Sequence, residues 1–191
     1  MNNIEISQTA TLPTKYGIFK IQAFKDESGK EHLALYTDNL KEVDVPTVRV
    51  HSECLTGDAL SSSKCDCGEQ LHYAQELIAK EGGMIIYHRQ EGRNIGLFNK
   101  VNAYALQDVG YDTVAANHQL GFKADERTYE IVEYILKYFK ITEIKLLTNN
   151  PVKIDSLPNI NIVERIPIKM TPNPYNKDYL KTKKDQLGHL L

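Results

Sequence analysis

Cys54, Cys65 and Cys67 are all the cysteines of a 191-residue chain, and they fall within fourteen positions as Cys-x10-Cys-x-Cys. Thiolates bind zinc well, and a structural zinc site closes with four protein ligands. Only three thiolates are at hand, so a closed site would need His51 or His72 as its fourth ligand. With water in that position the site is open, and an open zinc site is a hydrolytic one, because the metal brings the water pKa towards neutrality. Spacing alone leaves both arrangements standing. Burial of the cysteines as small hydrophobes is the bland alternative, but all three crowd into a polar, loop-like stretch. Around them lie Arg49, His51, Ser52, Glu53, Thr56, Asp58 and Lys64. These groups handle protons and anions, and a purely structural zinc knot does not need them.

Three further polar strings could carry chemistry. His88-Arg89-Gln90-Glu91-Gly92-Arg93-Asn94-Ile95-Gly96 follows an apolar run, where α/β sheets place ligands. Its glycines let backbone N–H groups approach an anion, and arginine offers a fork matched to phosphate oxygens. It is not a Walker sequence, and a solvated loop is its plain reading. Thr148-Asn149-Asn150-Pro151-Val152-Lys153 precedes a helical turn whose N–H groups could hold phosphate, or is simply an Asn-Pro turn with a capping Thr. Asp125 and Glu126 read fully as the N-cap and first turn of a helix, and His118 reads as structural.

The elements that must position these groups follow from periodicity. Gly17–Phe24 and His32–Tyr36 alternate around a turn at Asp26–Lys30, which reads as antiparallel strands. Thr47–Val50 is a short strand running into the first cysteine. Leu71, Ala74, Leu77 and Ile78 share one face of a helix that stops at Gly82-Gly83. Met84–Tyr87 is a buried strand; Val101 and Ala105 belong to a second helix ending near Gly110; Val132, Ile135, Leu136 and Phe139 mark a third. Glu143–Leu147 and Ile160–Val163 are strands separated by a helical turn at Val152–Ser156. The expectation is one mixed α/β domain over residues 1–191. Antiparallel N-terminal strands lead into an alternating strand/helix layer with partly parallel pairing. The charged, helical stretch from about residue 172 to the end, Lys177–Leu191 above all, is expected to pack loosely.

Composition narrows the class. Hydrophobic residues at 41% and charged residues at 25% exclude global disorder. A chain of this length buries roughly 70% of the surface its unfolded form exposes. A net charge of −2 supplies no general attraction to nucleic acid or anionic lipid, so an anionic ligand must be held by a local cluster. Apolar runs such as Met84-Ile85-Ile86 are far too short to span a bilayer, and the polar opening Met1–Glu5 is no leader. A cytoplasmic protein is expected. Three cysteines cannot all pair within one chain, and in a reducing compartment an odd count points to metal or redox chemistry.

Taken together, Arg49–Asp58, Cys65-Asp-Cys-Gly68, His88–Gly96, Ala103–Asp108, Ala124-Asp-Glu-Arg127 and Leu147–Pro151 resemble the GTP cyclohydrolase II family. The resemblance runs from about Leu12 to Leu191, in its stand-alone form without the synthase domain fused upstream in some members. It implies a zinc-dependent enzyme of riboflavin biosynthesis that opens the imidazole ring of GTP, releasing formate and pyrophosphate. By that resemblance Cys54, Cys65 and Cys67 hold one Zn²⁺ per subunit with a water, so the site is open. Arg49, Val50, His51, Ser52, Glu53, Gln70, Glu91, Gly92, Arg93, Thr113, Thr148 and Lys153 correspond to GTP-contacting positions. Asp125 corresponds to the proposed general base, Arg127 to the proposed nucleophile on the α-phosphate, and Tyr104 to an active-site aromatic. Mg²⁺ with the triphosphate, and a homodimer, are implied as well.

Much of this chemistry also follows from the residues. A triphosphate carries about four negative charges, and Arg49, Arg93, Arg127 and Lys153 with Mg²⁺ would hold it. A guanidinium, protonated below a pKa of about 12, is a poor nucleophile, so Arg127 suits a phosphate clamp and Asp125 suits activation of water. Guanine recognition wants an acceptor, for which Glu91 and Gln70 are both available. A zinc nucleoside deaminase is a rival, since His51-Ser52-Glu53 superficially fits His-x-Glu. That class needs a later Pro-Cys-x-x-Cys, which the chain lacks. A zinc-stabilised nucleic-acid binder would want a basic stripe where Glu53, Asp58 and Asp66 stand. No nucleic acid or membrane partner is expected.

Overall fold

Alternating side chains and a tight turn build the first strands. The computed structural model describes residues 3–190, so Met1 and Asn2 of the polar opening, and Leu191 of the tail, lie outside the described residues. Strands β1 (Glu5–Ile6) and β2 (Ala10–Thr14) both pair antiparallel with β3 (Gly17–Lys25). β3 pairs antiparallel with β4 (Glu31–Tyr36). The turn between them is an Asx arrangement in which Asp26 Oδ1 accepts the N–H groups of Ser28 and Lys30. β4 pairs antiparallel with β6 (Gly83–His88), and β6 lies beside β5 (Thr47–Ser52). Gly83 is required there: a Cβ would stand 2.1 Å from the Thr47 carbonyl oxygen. Beyond β5 the pairing turns parallel, to β7 (Glu143–Leu147) and then β8 (Asn161–Ile166). The sheet is therefore mixed, with an antiparallel N-terminal half, as periodicity predicts.

The chain divides into two compact units. The first comprises residues up to His51, Leu71–Arg89 and Thr128–Ile168, and it carries the sheet. Its core joins Phe24, Ala34, Val48, Val50, Met84, Ile86, Ile144 and Leu146 to one face of α5 (Glu130–Tyr138). Ile131, Val132, Ile135 and Leu136 line that face, and each fully buried aliphatic contributes roughly 1.5–3 kcal/mol. α6 (Pro151–Asp155) is capped by Asn150, whose side chain accepts the Val152 N–H, with Pro at the first helical position.

The second unit comprises Ser52–Gln70, Gln90–Arg127 and the residues from Lys169 on. It contains α1 (Leu55–Asp58), α3 (Gly96–Asp108), α4 (Thr113–Gln119) and α7 (Lys177–Leu187). α2 (Cys67–Glu81) opens in this unit and continues in the first. No helix among the described residues is long and apolar enough to cross a membrane.

Several local expectations change. Asp125 is not an N-cap, because its helix begins only at Glu130 and residues 124–129 form an irregular connection. His118 lies in a helix rather than a turn; Asp112 starts α4 by accepting the Val114 and Ala115 N–H groups. On α3 the apolar Val101 and Ala105 face outward, while Lys100 and Ala103 are buried. α7 ends at Leu187, where Gly188 takes a left-handed φ of 66° and His189 N–H closes onto the Lys183 carbonyl. It seats Leu180 and Lys183 rather than lying free.

Candidate active site

The second unit gathers the three cysteines. Their sulfur atoms all lie within 4.8 Å of one another, and among the described residues this cluster contains neither His51 nor His72. Cys54 Sγ and Cys65 Sγ are 3.7 Å apart. A tetrahedral ion with Zn–S bonds of about 2.3 Å sets two sulfurs roughly 3.8 Å apart, so the donor set fits zinc. Local structure makes the cluster compact. Cys54 N–H donates to Asp58 Oδ2 at 3.0 Å while Asp58 N–H returns to the Cys54 carbonyl at 2.7 Å, tightening α1 under the sulfurs. Cys67 is the first residue of α2.

Gly57 leaves the space the thiolates occupy. A Cβ there would meet Cys65 Sγ at 2.8 Å, Cys67 Cβ at 3.0 Å and Cys54 Sγ at 3.2 Å. Gly57→Ala is therefore expected to weaken zinc retention by about tenfold or more. Chelator competition on the purified protein checks this, and unchanged competition would refute it.

Electrostatics single out Cys54. Hydrogen bonds from the Cys65 and Cys67 thiols, aided by the Lys100 charge, pull its pKa far below the usual thiol range. The same hydrogen bond to Cys54 pushes Cys65 up to about 11. Lys100 Nζ stands 3.1 Å from Cys54 Sγ and 2.7 Å from Glu91 Oε1. Glu91 Oε1 also accepts the Gly92 N–H at 2.8 Å, and Oε2 accepts the Leu55 N–H at 2.6 Å. Glu91 thus links the cysteine loop, through Leu55, to Lys100 on α3 and to its own turn at Gly92. Tyr104, one turn after Lys100, shares a hydrogen bond with Thr56 at 3.2 Å, and burial raises its hydroxyl pKa.

The Glu91 loop is locked to the Asp125 loop. Gly92, Arg93 and Asn94 all adopt left-handed φ, of 61°, 58° and 74°. For the two non-glycine residues this costs about 1–3 kcal/mol each. Hydrogen bonds hold the strain: Glu126 N–H to the Arg93 carbonyl, Asn94 Nδ2 to the Glu126 carbonyl, and Arg93 Nη1 to the Ala124 carbonyl. Arg127 then lies against Asp125 in a fork, with Nε 2.9 Å from Oδ1 and Nη2 2.5 Å from Oδ2, while Nη1 donates to Ser52 Oγ at 2.9 Å. Burial alone would raise the Asp125 pKa, but the Arg127 guanidinium outweighs it and holds the carboxylate ionised.

The remaining expected positions separate by unit. Arg49, Val50, His51, Thr148 and Lys153 lie in the first, at the ends of β5 and β7 and in α6. Arg49 Nη1 donates to the Leu147 carbonyl at 3.0 Å, and Lys153 Nζ to the Val50 carbonyl at 2.6 Å. His51 stacks on Tyr87 at 5.5 Å. Thr148 Oγ1 accepts the Asn150 N–H, and the cap of α6 is Asn150 rather than the expected Thr148. Ser52, Glu53, Gln70, Glu91, Gly92, Arg93, Tyr104, Thr113, Asp125 and Arg127 belong to the second unit with the cysteines. Thr113 opens α4, and Gln70 Nε2 donates to Asp66 Oδ2 at 2.6 Å. Sequence reasoning missed Lys100. Its one signal is a four-residue spacing to Tyr104, which puts both on one helix face.

A mixed α/β fold whose second unit carries a three-cysteine cluster able to hold a metal ion, together with a carboxylate–guanidinium pair, defines the class. Residues 5–167 match the model of the GTP cyclohydrolase II family. A GTP cyclohydrolase-2 from Campylobacter hominis is 60% identical over 189 residues, covering 99% of this chain and 96% of that one. Another from Helicobacter pylori (strain J99) is 54% identical over 194 residues, covering 100% of both. The chain belongs to the GTP cyclohydrolase II family. Among solved structures, a two-domain 3,4-dihydroxy-2-butanone 4-phosphate synthase from A. baumannii is 21% identical with a TM-score of 0.49. That likeness covers 90% of this chain and spans 41% of the solved one.

Proposed function

We infer that this chain hydrolyses GTP, opening the guanine imidazole ring and releasing formate and pyrophosphate. The product is 2,5-diamino-6-ribosylamino-4(3H)-pyrimidinone 5′-phosphate, and the reaction opens riboflavin biosynthesis. The observation that carries the reading is the cluster of three thiolates, matched in spacing to zinc, in a chain of this family. Three bonds are cut, and each consumes one water: the ring C–N bond, the resulting formamide, and the α–β phosphoanhydride.

A Zn²⁺ bound at the cysteine cluster would supply the Lewis acidity that makes water a nucleophile near neutral pH. Cys54, Cys65 and Cys67 hold the metal, and Lys100 balances the negative charge of the cluster. Arg127 clamps the α-phosphate: its fork with Asp125 favours the protonated guanidinium, which is the opposite of what a nucleophile needs. Asp125 remains an ionised acceptor beside it, suited to receiving a proton from attacking water. By the family resemblance Arg49, Arg93 and Lys153 are the further cations assigned to a triphosphate carried with Mg²⁺. Glu91 is engaged at both oxygens, by Lys100 Nζ on one and the Leu55 N–H on the other. Val50, His51, Ser52, Glu53, Gly92, Thr113, Thr148 and Tyr104 complete the site we assign. A homodimer is taken from the family resemblance, and the near-neutral charge and free cysteines support a cytoplasmic protein without nucleic-acid or membrane partners.

The test is incubation of zinc-loaded protein with GTP and Mg²⁺, assaying formate, pyrophosphate and the pyrimidine separately. Stoichiometric release of all three is expected. Absence of formate from fully metallated protein would overturn the assignment, and formate without pyrophosphate would place the failure at Asp125 and Arg127.

A further inference from the structure

The family match ends at residue 167, ten residues before α7 begins, yet α7 reaches the cysteine cluster. Lys183, only 8% exposed on this charged helix, places Nζ 2.9 Å from Oδ1 of Asp66. Asp66 is the single residue between Cys65 and Cys67, and it is 1% exposed. Its other oxygen accepts Gln70 Nε2 at 2.6 Å, and its carbonyl accepts the Gln70 N–H at 3.0 Å. Both carboxylate oxygens of Asp66 and its carbonyl are thereby tied.

α7 is itself built to present this lysine. Leu180 is buried, Asn176 is fully buried at the start of the helix, and Asn176 Oδ1 accepts the Asn173 N–H at 2.8 Å. The Lys183 ammonium lies 4.4 Å from the ring of Tyr179, one turn earlier. Gln186 Nε2 reaches Asp112 Oδ2 at 3.3 Å, and the Gly188 cap closes on the Lys183 carbonyl itself.

We propose that α7 is part of the metal centre, with Lys183 a positioning residue that acts through Asp66 to hold Cys65 and Cys67 in metal-ready geometry and so sets how firmly the cluster retains zinc. The inference rests on the reading that the three thiolates bind the metal. Its physical basis is preorganisation. Two of the three ligands flank Asp66, so a pinned Asp66 carboxylate removes ordering cost that metal binding would otherwise bear. A buried lysine on a mostly solvated helix also demands a partner, and Asp66 is that partner.

The test measures transfer of Zn²⁺ from the loaded full-length protein to the chromophoric chelator 4-(2-pyridylazo)resorcinol. Lys183→Met and Asp66→Asn are expected to release zinc about 10–100-fold faster than the unsubstituted chain. Lys183→Arg, which keeps the charge and the donor, should restore most of the retention. Lys181→Met, an exposed change on the same helix, should behave as the unsubstituted chain does. Co²⁺-loaded variants give a second readout: a displaced Asp66 loop should alter the thiolate-to-cobalt charge-transfer bands in Lys183→Met and not in Lys181→Met. Release at the unsubstituted rate from Lys183→Met and Asp66→Asn overturns the proposal. If Lys183→Met does not fold, the milder Asp66→Asn decides alone by the same criterion. Failure of the unsubstituted chain to take up Zn²⁺ or Co²⁺ would instead overturn the reading on which the proposal rests.

Discussion

Lys100→Met in the zinc-loaded protein is expected to cost about 3–5 kcal/mol of folding stability, the usual consequence of stranding one charge of a buried pair. Lys100 and Glu91 have side chains only 11% and 8% exposed and meet at 2.7 Å. Methionine keeps the length of the side chain and much of its packing, so the loss isolates the charge. Without the ammonium, Glu91 is left buried without its charged partner, and Cys54 loses its 3.1 Å donor. Glu91 also holds the Leu55 N–H, so the disturbance passes directly to the residue after Cys54. The double change Lys100→Met with Glu91→Gln should recover part of the loss, because no unpaired charge remains. Urea midpoints at constant slope measure both. A loss below about 1 kcal/mol, the range of exposed pairs, would show that this pair is not desolvated as its burial implies. Lys64 and Asp108 make the useful contrast: they meet at the same 2.7 Å, but with side chains 44% and 67% exposed. Breaking that pair should cost little.

The second large effect is on turnover. Arg127→Lys should slow pyrophosphate release by about 100- to 1,000-fold, the scale seen when one preorganised donor to developing charge is lost. Lysine keeps a positive charge but not the fork that binds Asp125 through two nitrogens and Ser52 through the third. Residual activity is expected, because a clamp can be replaced poorly where a nucleophile cannot. Rapid-quench digests of the unsubstituted enzyme should carry no nucleotide on Arg127. A trapped phosphoramidate there would overturn the clamp and establish covalent catalysis. Complete loss of pyrophosphate release in Arg127→Lys, at intact folding, would argue the same way.

Both effects bear on what could be read from residues in order along the chain. The cysteine spacing pointed to a cluster able to hold a metal because all three fall within a short stretch, and the fold brings their sulfurs within 4.8 Å of one another. Strand alternation and the helical spacing of Leu71, Ala74 and Ile78 located most elements, since each is a local property of backbone geometry. The failures have a common physical cause. Asp125 has the composition of an N-cap, yet tertiary contacts hold it in an extended connection, where the strained Arg93–Asn94 turn fixes it by hydrogen bonds across more than thirty residues. On α3 the sequence places a helix but does not say which face is buried, and the fold buries Lys100 against Glu91 and Cys54.

The sequence by itself determined the candidate ligand set, the supply of cationic groups and the alternation that makes a mixed sheet, all of which depend on residue type and short spacing. Tertiary structure alone decided which charges meet the cysteine loop. Lys100 meets Cys54 across 46 positions, and Lys183 meets Asp66 across 117. No periodicity reports such a pairing. A lysine is read as solvated surface until the folded chain removes its water and sets a thiolate or a carboxylate in its place.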